Sequence, residues 1–260
     1  MKDLNIFQSS LDFLLTDIDD TLTDEGLLGP EAYSALWALH KSGIKVIPVT
    51  GRPAGWCEMI ARVWPVAAVV GENGGFYFRY HNKKMIRKFA FDEKVQILNR
   101  KKLSLIQDEV LKDIPGSALA SDQFCRLMDL AIDFCEDVPR LPEKEISRIV
   151  EIFNKHGAQA KISSIHVNGW FGEYNKVTMA LDLLRTEFSV TKTTALDKVG
   201  FAGDSPNDEP MFEVFPHSFA VANIGPFLSK LKAKPNYISK ENGGLGFTEI
   251  AKQILKNRKN

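Results

Sequence analysis

Phe13-Leu14-Leu15-Thr16-Asp17-Ile18-Asp19-Asp20-Thr21-Leu22-Thr23 is the stretch on which the fold of this chain turns. The run from Leu11 to Leu15 is short and rich in Leu and Phe. It reads as a buried parallel strand whose carboxyl end delivers Asp17 into a crevice, the place where open α/β sheets bind ligands. Asp17 and Asp19, one residue apart, repel each other. At roughly 4 Å and an effective dielectric near 20 the cost is about 4 kcal/mol, so one carboxyl takes up a proton or a cation sits between them. An oxygen-rich pair suits Mg²⁺. The same residues also read as a capped turn, because Asp and Thr satisfy loop and helix-start backbone groups. A calcium loop is excluded: Leu22 stands where that loop needs Gly, Leu28 where it needs Glu, and a strand precedes the site rather than a helix.

The chain has 260 residues, 44% hydrophobic and 25% charged, enough for one large domain or two modest ones with a sizeable core. Lys plus Arg equals Asp plus Glu at 33 each, so no net field draws it to nucleic acid or to a membrane. Cys57, Cys125 and Cys135 are odd in number and lack CxxC spacing, which argues against a disulfide framework and a zinc site. Residues Met1 to Ser10 lack the basic and apolar regions of a signal peptide, and no run is long enough to span a bilayer. A cytoplasmic protein is expected.

Pro30 to Ser42 carries Tyr33, Leu36 and Leu39 at helical spacing, with Pro30 placed to start a helix and Gly43 to stop it. Lys45 to Val49 reads as a second buried strand and Ala67 to Val70 as a third, with a helix through Trp64 between them. Such alternation predicts an α/β fold with a doubly wound, Rossmann-like parallel sheet. From Phe76 the rhythm changes. A hairpin through Asn82, a long helix from Phe91 to Lys112, a strand near Leu127 to Phe134, a helix from Leu141 to His156 and two strands up to Trp170 make an inserted α+β segment. The α/β pattern resumes with a helix from Val177 to Phe188, strands at Val199 to Ala202 and Phe219 to Ala222, and a short strand at Tyr237 and Ile238. The expected division is therefore a core of residues 1–78 and 173–260 around an inserted cap of residues 79–172.

Three more loops at the ends of core elements carry polar residues in a telling order. Thr50 ends the second strand, Lys176 stands at the return to the core, and Gly203-Asp204-Ser205-Pro206-Asn207-Asp208 ends the fourth. A hydroxyl, an ammonium and helix-start amides together can bind the oxygens of a phosphoryl group, and Asp204 would complete a metal site with Asp17.

With these residues in view, the chain resembles the haloacid dehalogenase (HAD) superfamily of phosphatases. Asp17, Asp19 and Thr21 match its DxDx[TV] motif, Thr50 its second motif, Lys176 its third, and Gly203, Asp204, Asn207 and Asp208 its GDxxND motif. The position of the insert, with Glu72, Asn73 and Gly74 after the third strand, resembles the type IIB, Cof-like branch. The resemblance implies a phosphoric monoester hydrolase in which Asp17 is the nucleophile of an aspartyl-phosphate intermediate. Asp19 is the implied acid and base, and Thr50 and Lys176 hold the nonbridging oxygens. Asp17, the backbone carbonyl of Asp19, and Asp204 are the implied Mg²⁺ ligands, with Ser205, Asn207 and Asp208 supporting them.

The implied cap closes over the core and selects the substrate. Ser163, Ser164, His166, Asn168 and Trp170, just before the return to the core, are the expected cap contacts, with Arg52, Glu72 and Asn73 as core contacts. Polar side chains beside an aromatic ring suit a sugar, although the same alternation also describes a strand with one solvated face. Trp56 either flanks the entrance or packs on the sheet. Related enzymes carry Asp or Glu where Asn168 stands and Gly where Val177 stands. The expected activity is hydrolysis of a small phosphomonoester, a sugar phosphate of the trehalose- or sucrose-phosphate kind. A phosphosugar mutase of the phosphomannomutase kind and a non-catalytic phosphate sensor are the alternatives, the second disfavoured by the intact acidic and basic set.

Overall fold

The computed structural model describes residues 1–163 and 165–258. The chain opens with an edge strand, β1 (Lys2–Asp3), before the central strand β2 (Phe13–Thr16). Past β2 a small flap of β3 (Thr23–Asp24) and β4 (Leu27–Leu28) leads into α1 (Pro30–Lys41). Pro30 fixes the first-turn φ, and Gly43 at φ +85° ends the helix. β5 (Lys45–Pro48), α2 (Ala54–Val63) and β6 (Val69–Gly71) complete the first half of the core.

The chain next forms a hairpin of β7 (Phe76–His81) and β8 (Lys84–Phe89), with Asn82 and Lys83 both at positive φ in its turn. α3 (Glu93–Asp113), capped by Asp92, precedes β9 (Ala118–Leu119) and β10 (Leu130–Asp133). α4 (Glu143–Lys155), β11 (Gln159–Ile162) and β12 (His166–Trp170) come next. The return to the core is α5 (Lys176–Phe188), started by a capping box between Asn175 and Thr178. α6 (Lys192–Lys198), β13 (Val199–Gly203), α7 (Glu209–Val214), β14 (His217–Ala220), β15 (Tyr237–Ile238) and α8 (Gly243–Arg258) end the chain.

The core sheet has six parallel strands in the order β1-β15-β14-β13-β2-β5, and a parallel bridge from Val49 to Val70 adds β6 at the far edge. Alternation along the strands sends side chains to two helical layers. Leu14, Val46 and Ala202 face α1, α2 and α8 through residues such as Leu36, Ile60 and Ile250. Leu15, Ile47 and Phe201 face α5, α6 and α7 through Leu183, Ala195 and Met211. This is the doubly wound α/β architecture expected of the sequence.

The β7–β8 hairpin packs on that core: Phe76 and Phe78 join one layer, Tyr77 joins the other, and Arg79 pairs with Glu187 of α5 at 2.7 Å. The segment beyond it builds an antiparallel sheet, β11-β12-β10-β9, under α3 and α4. Ile106, Val110, Ile146, Ile149 and Phe153 close a separate apolar core there with Leu130, Ile132 and Val167.

Candidate active site

Strands β5, β2 and β13 are neighbours in the sheet, so their carboxyl ends bring Thr50, Asp17 and Asp204 to one edge. The Asp17 N–H donates to the Ala202 carbonyl at 2.9 Å, extending the ladder one residue past β2 and fixing where the carboxylate begins. Lys176, at the first position of α5, reaches over the edge. Its Nζ lies 3.2 Å from Asp17 Oδ1 and 2.9 Å from Asp208 Oδ1.

Asp208 is fully buried, and its other oxygen accepts from the Asp204 N–H at 3.1 Å and the Ser205 N–H at 3.4 Å. Gly203 is required beside it: a Cβ there would stand 2.5 Å from Asp208 Oδ2. Asp204 Oδ1 accepts from the Thr21 hydroxyl at 2.9 Å, and Asn223 Nδ2 approaches Oδ2 at 3.4 Å.

One oxygen from each of Asp17, Asp204 and Asp208 lies within 4.8 Å of the others. Burial, with Asp208 and Asp19 nearby, pushes Asp17 up to about 7 against the pull of Lys176, and burial with Asp208 and Asp17 pushes Asp204 up to about 9. Burial opposes the charge of Lys176, but Asp17 and Asp208 outweigh it and hold the ammonium well above its ordinary range. Asp208 is already engaged by the ammonium and two amides. The pair left with excess negative charge, Asp17 and Asp204, is a donor set of hard oxygens that fits a divalent cation such as Mg²⁺.

These groups open on a cavity of about 330 Å³ between the strand ends and the insert. Asp19 lines it, gripped by Arg52, whose Nε donates at 3.0 and 3.1 Å to its two oxygens and whose Nη2 lies 2.7 Å from Oδ1. The Arg52 guanidinium in turn rests 4.5 Å from the Trp56 ring centroid, so Trp56 supports this arginine from a partly exposed position. Thr50 is fully buried and lies behind the wall, its hydroxyl accepting from the Arg52 N–H at 3.1 Å.

The remaining sequence-expected residues divide. Arg52, Asn73, Ser163, His166, Asn168, Ser205 and Asn207 line the cavity, and Ser164 lies outside the described residues. Asn207 does not reach Asp204 or Lys176: its amide donates to the Ile162 carbonyl at 3.2 Å, tying the core loop to β11. Asn168 donates to Asp129 at 3.2 Å. His166 Nε2 is 2.9 Å from Glu136 Oε2 but out of hydrogen-bond alignment.

Trp170 and Glu72 stand apart from the cavity. Trp170 is 1% exposed and stacked on Tyr174 within the apolar core, where its indole offers no face to a ligand. Glu72 is fully buried at φ +44°, and its carboxylate accepts from the N–H groups of Ala54, Leu127, Met128 and Asp129. Burial and Asp129 push its pKa up, while Arg126 and the Leu127 and Met128 amides pull it back toward the anion.

Sequence reasoning did not single out Arg126, Lys161 or Asn223. Arg126 is forked between Asp122 and Asp129 and donates to the Gly51 carbonyl at 3.1 Å, joining the insert to the loop after Thr50. A basic residue inside a helix-rich insert carries no local pattern that marks it. Asn223 had a usable signal: it comes just after the β14 strand end, as the other site loops come after theirs.

Fold and site together define a doubly wound α/β enzyme with an acidic, cation-ready pocket at the carboxyl ends of its strands. Residues 14–105 match the family described as haloacid dehalogenase-like hydrolase. A curated relative, phosphoglycolate phosphatase of Methanothrix thermoacetophila, is 27% identical over 244 residues, 92% of this chain and 95% of the relative. Among solved structures, a Thermoplasma acidophilum protein superposes with a TM-score of 0.73 at 19% identity, covering 94% of this chain and 98% of its own. The sucrose-phosphatase of Synechocystis, solved with sucrose and phosphate, gives a TM-score of 0.64 at 16% identity, covering 95% and 98%. The chain is thus similar to haloacid dehalogenase-like hydrolases, over residues 14–105 by the family match and along most of its length by its relatives.

Proposed function

We propose that the chain is a Mg²⁺-dependent phosphatase of a small phosphomonoester that works through an aspartyl phosphate on Asp17. The observation that carries this reading is the approach of Lys176 Nζ to Asp17 Oδ1 at 3.2 Å, beside Asp204 at the end of the adjacent strand. A carboxylate so placed can attack phosphorus while the ammonium offsets charge on the nonbridging oxygens. As the P–O bond to the leaving group breaks, Asp19 gives that oxygen a proton; it then takes one from the water that attacks the phosphoaspartate. Arg52 holds Asp19 in place for both steps. Asp17, Asp204 and the Asp19 carbonyl would hold the metal. When bound, Mg²⁺ lowers the repulsion between the carboxylate and the phosphate dianion.

The insert, expected at residues 79–172 and with its own apolar core from Leu103 onward, acts in this reading as a cap that excludes water and contacts the leaving group. A cavity near 330 Å³ suits a metabolite rather than a polymer. The sugar reading keeps only its polar half, Asn168 and His166, because Trp170 faces away. A phosphate-release screen over small phosphomonoesters with Mg²⁺ tests the proposal. Release from at least one ester, abolished by chelator, is expected; folded, Mg²⁺-loaded protein that releases none would sink it.

The crowded carboxylates also set a pH dependence. Asp17 and Asp204 hold protons in the folded protein up to about 7 and about 9, whereas an unfolded Asp loses its proton near pH 4. Between those limits the folded state binds more protons, so stability of the metal-free protein falls as pH rises. Mg²⁺ takes the place of those protons. The Tm gain from Mg²⁺ is therefore expected to be larger at pH 8 than at pH 5, by roughly 5 °C; paired thermal melts with and without metal check this, and a gain independent of pH contradicts it.

A further inference from the structure

Arg52, Arg126, Lys161 and Lys176 bring positive charge to the cavity wall, beside the imidazole of His166, which burial and Arg126 keep toward its neutral form. All but Lys161 face a carboxylate at close range. Arg52 grips Asp19, Arg126 is forked between Asp122 and Asp129, Lys176 lies between Asp17 and Asp208, and His166 stands 2.9 Å from Glu136. Lys161 differs. Among the described residues its ammonium makes no hydrogen bond and no ion pair, although the residue is half-buried in the wall of the cavity.

Its place is fixed by the backbone. Lys161 sits on β11 opposite Asn168 of β12, and the next carbonyl, of Ile162, accepts the Asn207 amide of the core loop at 3.2 Å. Both neighbours line the same cavity. The ammonium is thus held at the seam between insert and core, where burial and the like charge of Lys176 outweigh the more distant pull of Asp208 and Glu209 and lower its pKa. A half-buried ammonium that no carboxylate among the described residues contacts gains when one arrives. In the phosphatase reading Lys176 and a metal held by Asp17 and Asp204 would take the phosphoryl group, which leaves Lys161 for an anion at the other end of the ligand.

We propose that Lys161 is a specificity-determining residue that pairs with a second anionic group on the leaving group, so that preferred substrates carry a carboxylate or a further phosphate beyond the ester. This rests on the phosphatase reading of the site. The chemistry needed is an oxyanion within reach of one ammonium, and the two sources are separable by experiment.

Calorimetric titration of the Mg²⁺-loaded full chain with non-hydrolysable phosphonates tests it without turnover. Phosphonoacetate supplies a carboxylate tail, methylenebisphosphonate a second phosphoryl tail, and phosphonoacetamide a neutral tail of matched size. The native protein is expected to bind at least one charged-tail ligand about tenfold more tightly than the neutral one, the size of one charge-assisted contact, and which one names the source. In Lys161→Gln the ratio is expected to fall to within about twofold, and Lys161→Arg is expected to keep most of it. A native ratio near one overturns the proposal, as does a ratio that survives in Lys161→Gln or a loss in Lys161→Gln that is equal for all three ligands, which would place the ammonium on the phosphoryl group. Melting curves of both variants guard against misfolding. Phosphate release from the neutral ester p-nitrophenyl phosphate tests the reaction separately, so failure of the phosphatase reading and failure of the Lys161 assignment give different results.

Discussion

Asp17→Asn is expected to lower phosphate release by ~10⁴-fold or more while leaving the protein folded, because the amide that replaces the carboxylate is not a nucleophile toward phosphorus. The side chain is almost isosteric. The backbone bond from Asp17 N–H to Ala202 is untouched, and Lys176 keeps Asp208 at 2.9 Å, so the buried ammonium retains a counter-charge. The substitution also removes one of three crowded carboxylates, in a site where that crowding and burial hold Asp17 at about 7 and Asp204 at about 9. The metal-free variant should therefore melt no lower than the native protein at pH 8, and its Tm gain from Mg²⁺ should shrink. Phosphate-release kinetics and thermal melts on the same preparation check both halves. More than about one percent of native turnover in a clean preparation would remove Asp17 from the nucleophile's role.

The sequence carried much of this site because its key residues come directly after short apolar runs. Leu14 and Leu15, Val46 and Ile47, and Phe201 and Ala202 can only be buried strands in a doubly wound sheet, and the loops at the carboxyl ends of such strands meet at one edge whatever the details. Asp17, Thr50 and Asp204 were legible for that reason. The features that sequence left out depend on distant partners. Lys2 and Asp3 form a strand only because Tyr237 and Ile238 lie alongside, and Lys192–Lys198 is a one-to-two-turn helix held by the Thr191 cap and by Ala195 in the core rather than by any long periodicity. Alternation in β12 put Trp170 on a face of its strand but could not say that Tyr174 and the apolar core occupy that side. Arg126 and Lys161 were invisible since a lone basic residue has no local signature. Glu72 was noticed for its position after the third strand, but the groups it binds, the amides of Leu127, Met128 and Asp129, lie in the insert and leave no mark near it in sequence.

Glu72→Ala is expected to cost about 4 kcal/mol of folding stability. The carboxylate is the common acceptor for four backbone N–H groups: Ala54, at the start of α2, and Leu127, Met128 and Asp129, in the loop that enters β10. Truncation leaves those buried donors without an acceptor, at roughly 1–3 kcal/mol each before relaxation, and the backbone at φ +44° offers alanine no relief. Removal of a carboxyl whose charge burial and Asp129 both disfavour offsets part of this. The net figure lies below the sum for that reason. Glu72→Gln keeps one oxygen acceptor but turns an NH₂ group toward the N–H donors, and about 2 kcal/mol is expected for it. For a chain of this length a loss near 4 kcal/mol lowers Tm by about 10 °C. The effect should extend to the pocket, because Arg126, next to the released amides, carries the bond from the insert to the Gly51 carbonyl at 3.1 Å. Urea unfolding of the metal-free protein at pH 7 measures the stability directly and keeps Mg²⁺ binding out of the comparison. An alanine variant within about 1 kcal/mol of native would mean that the four amides find other partners, and that Glu72 does not hold the insert to the core.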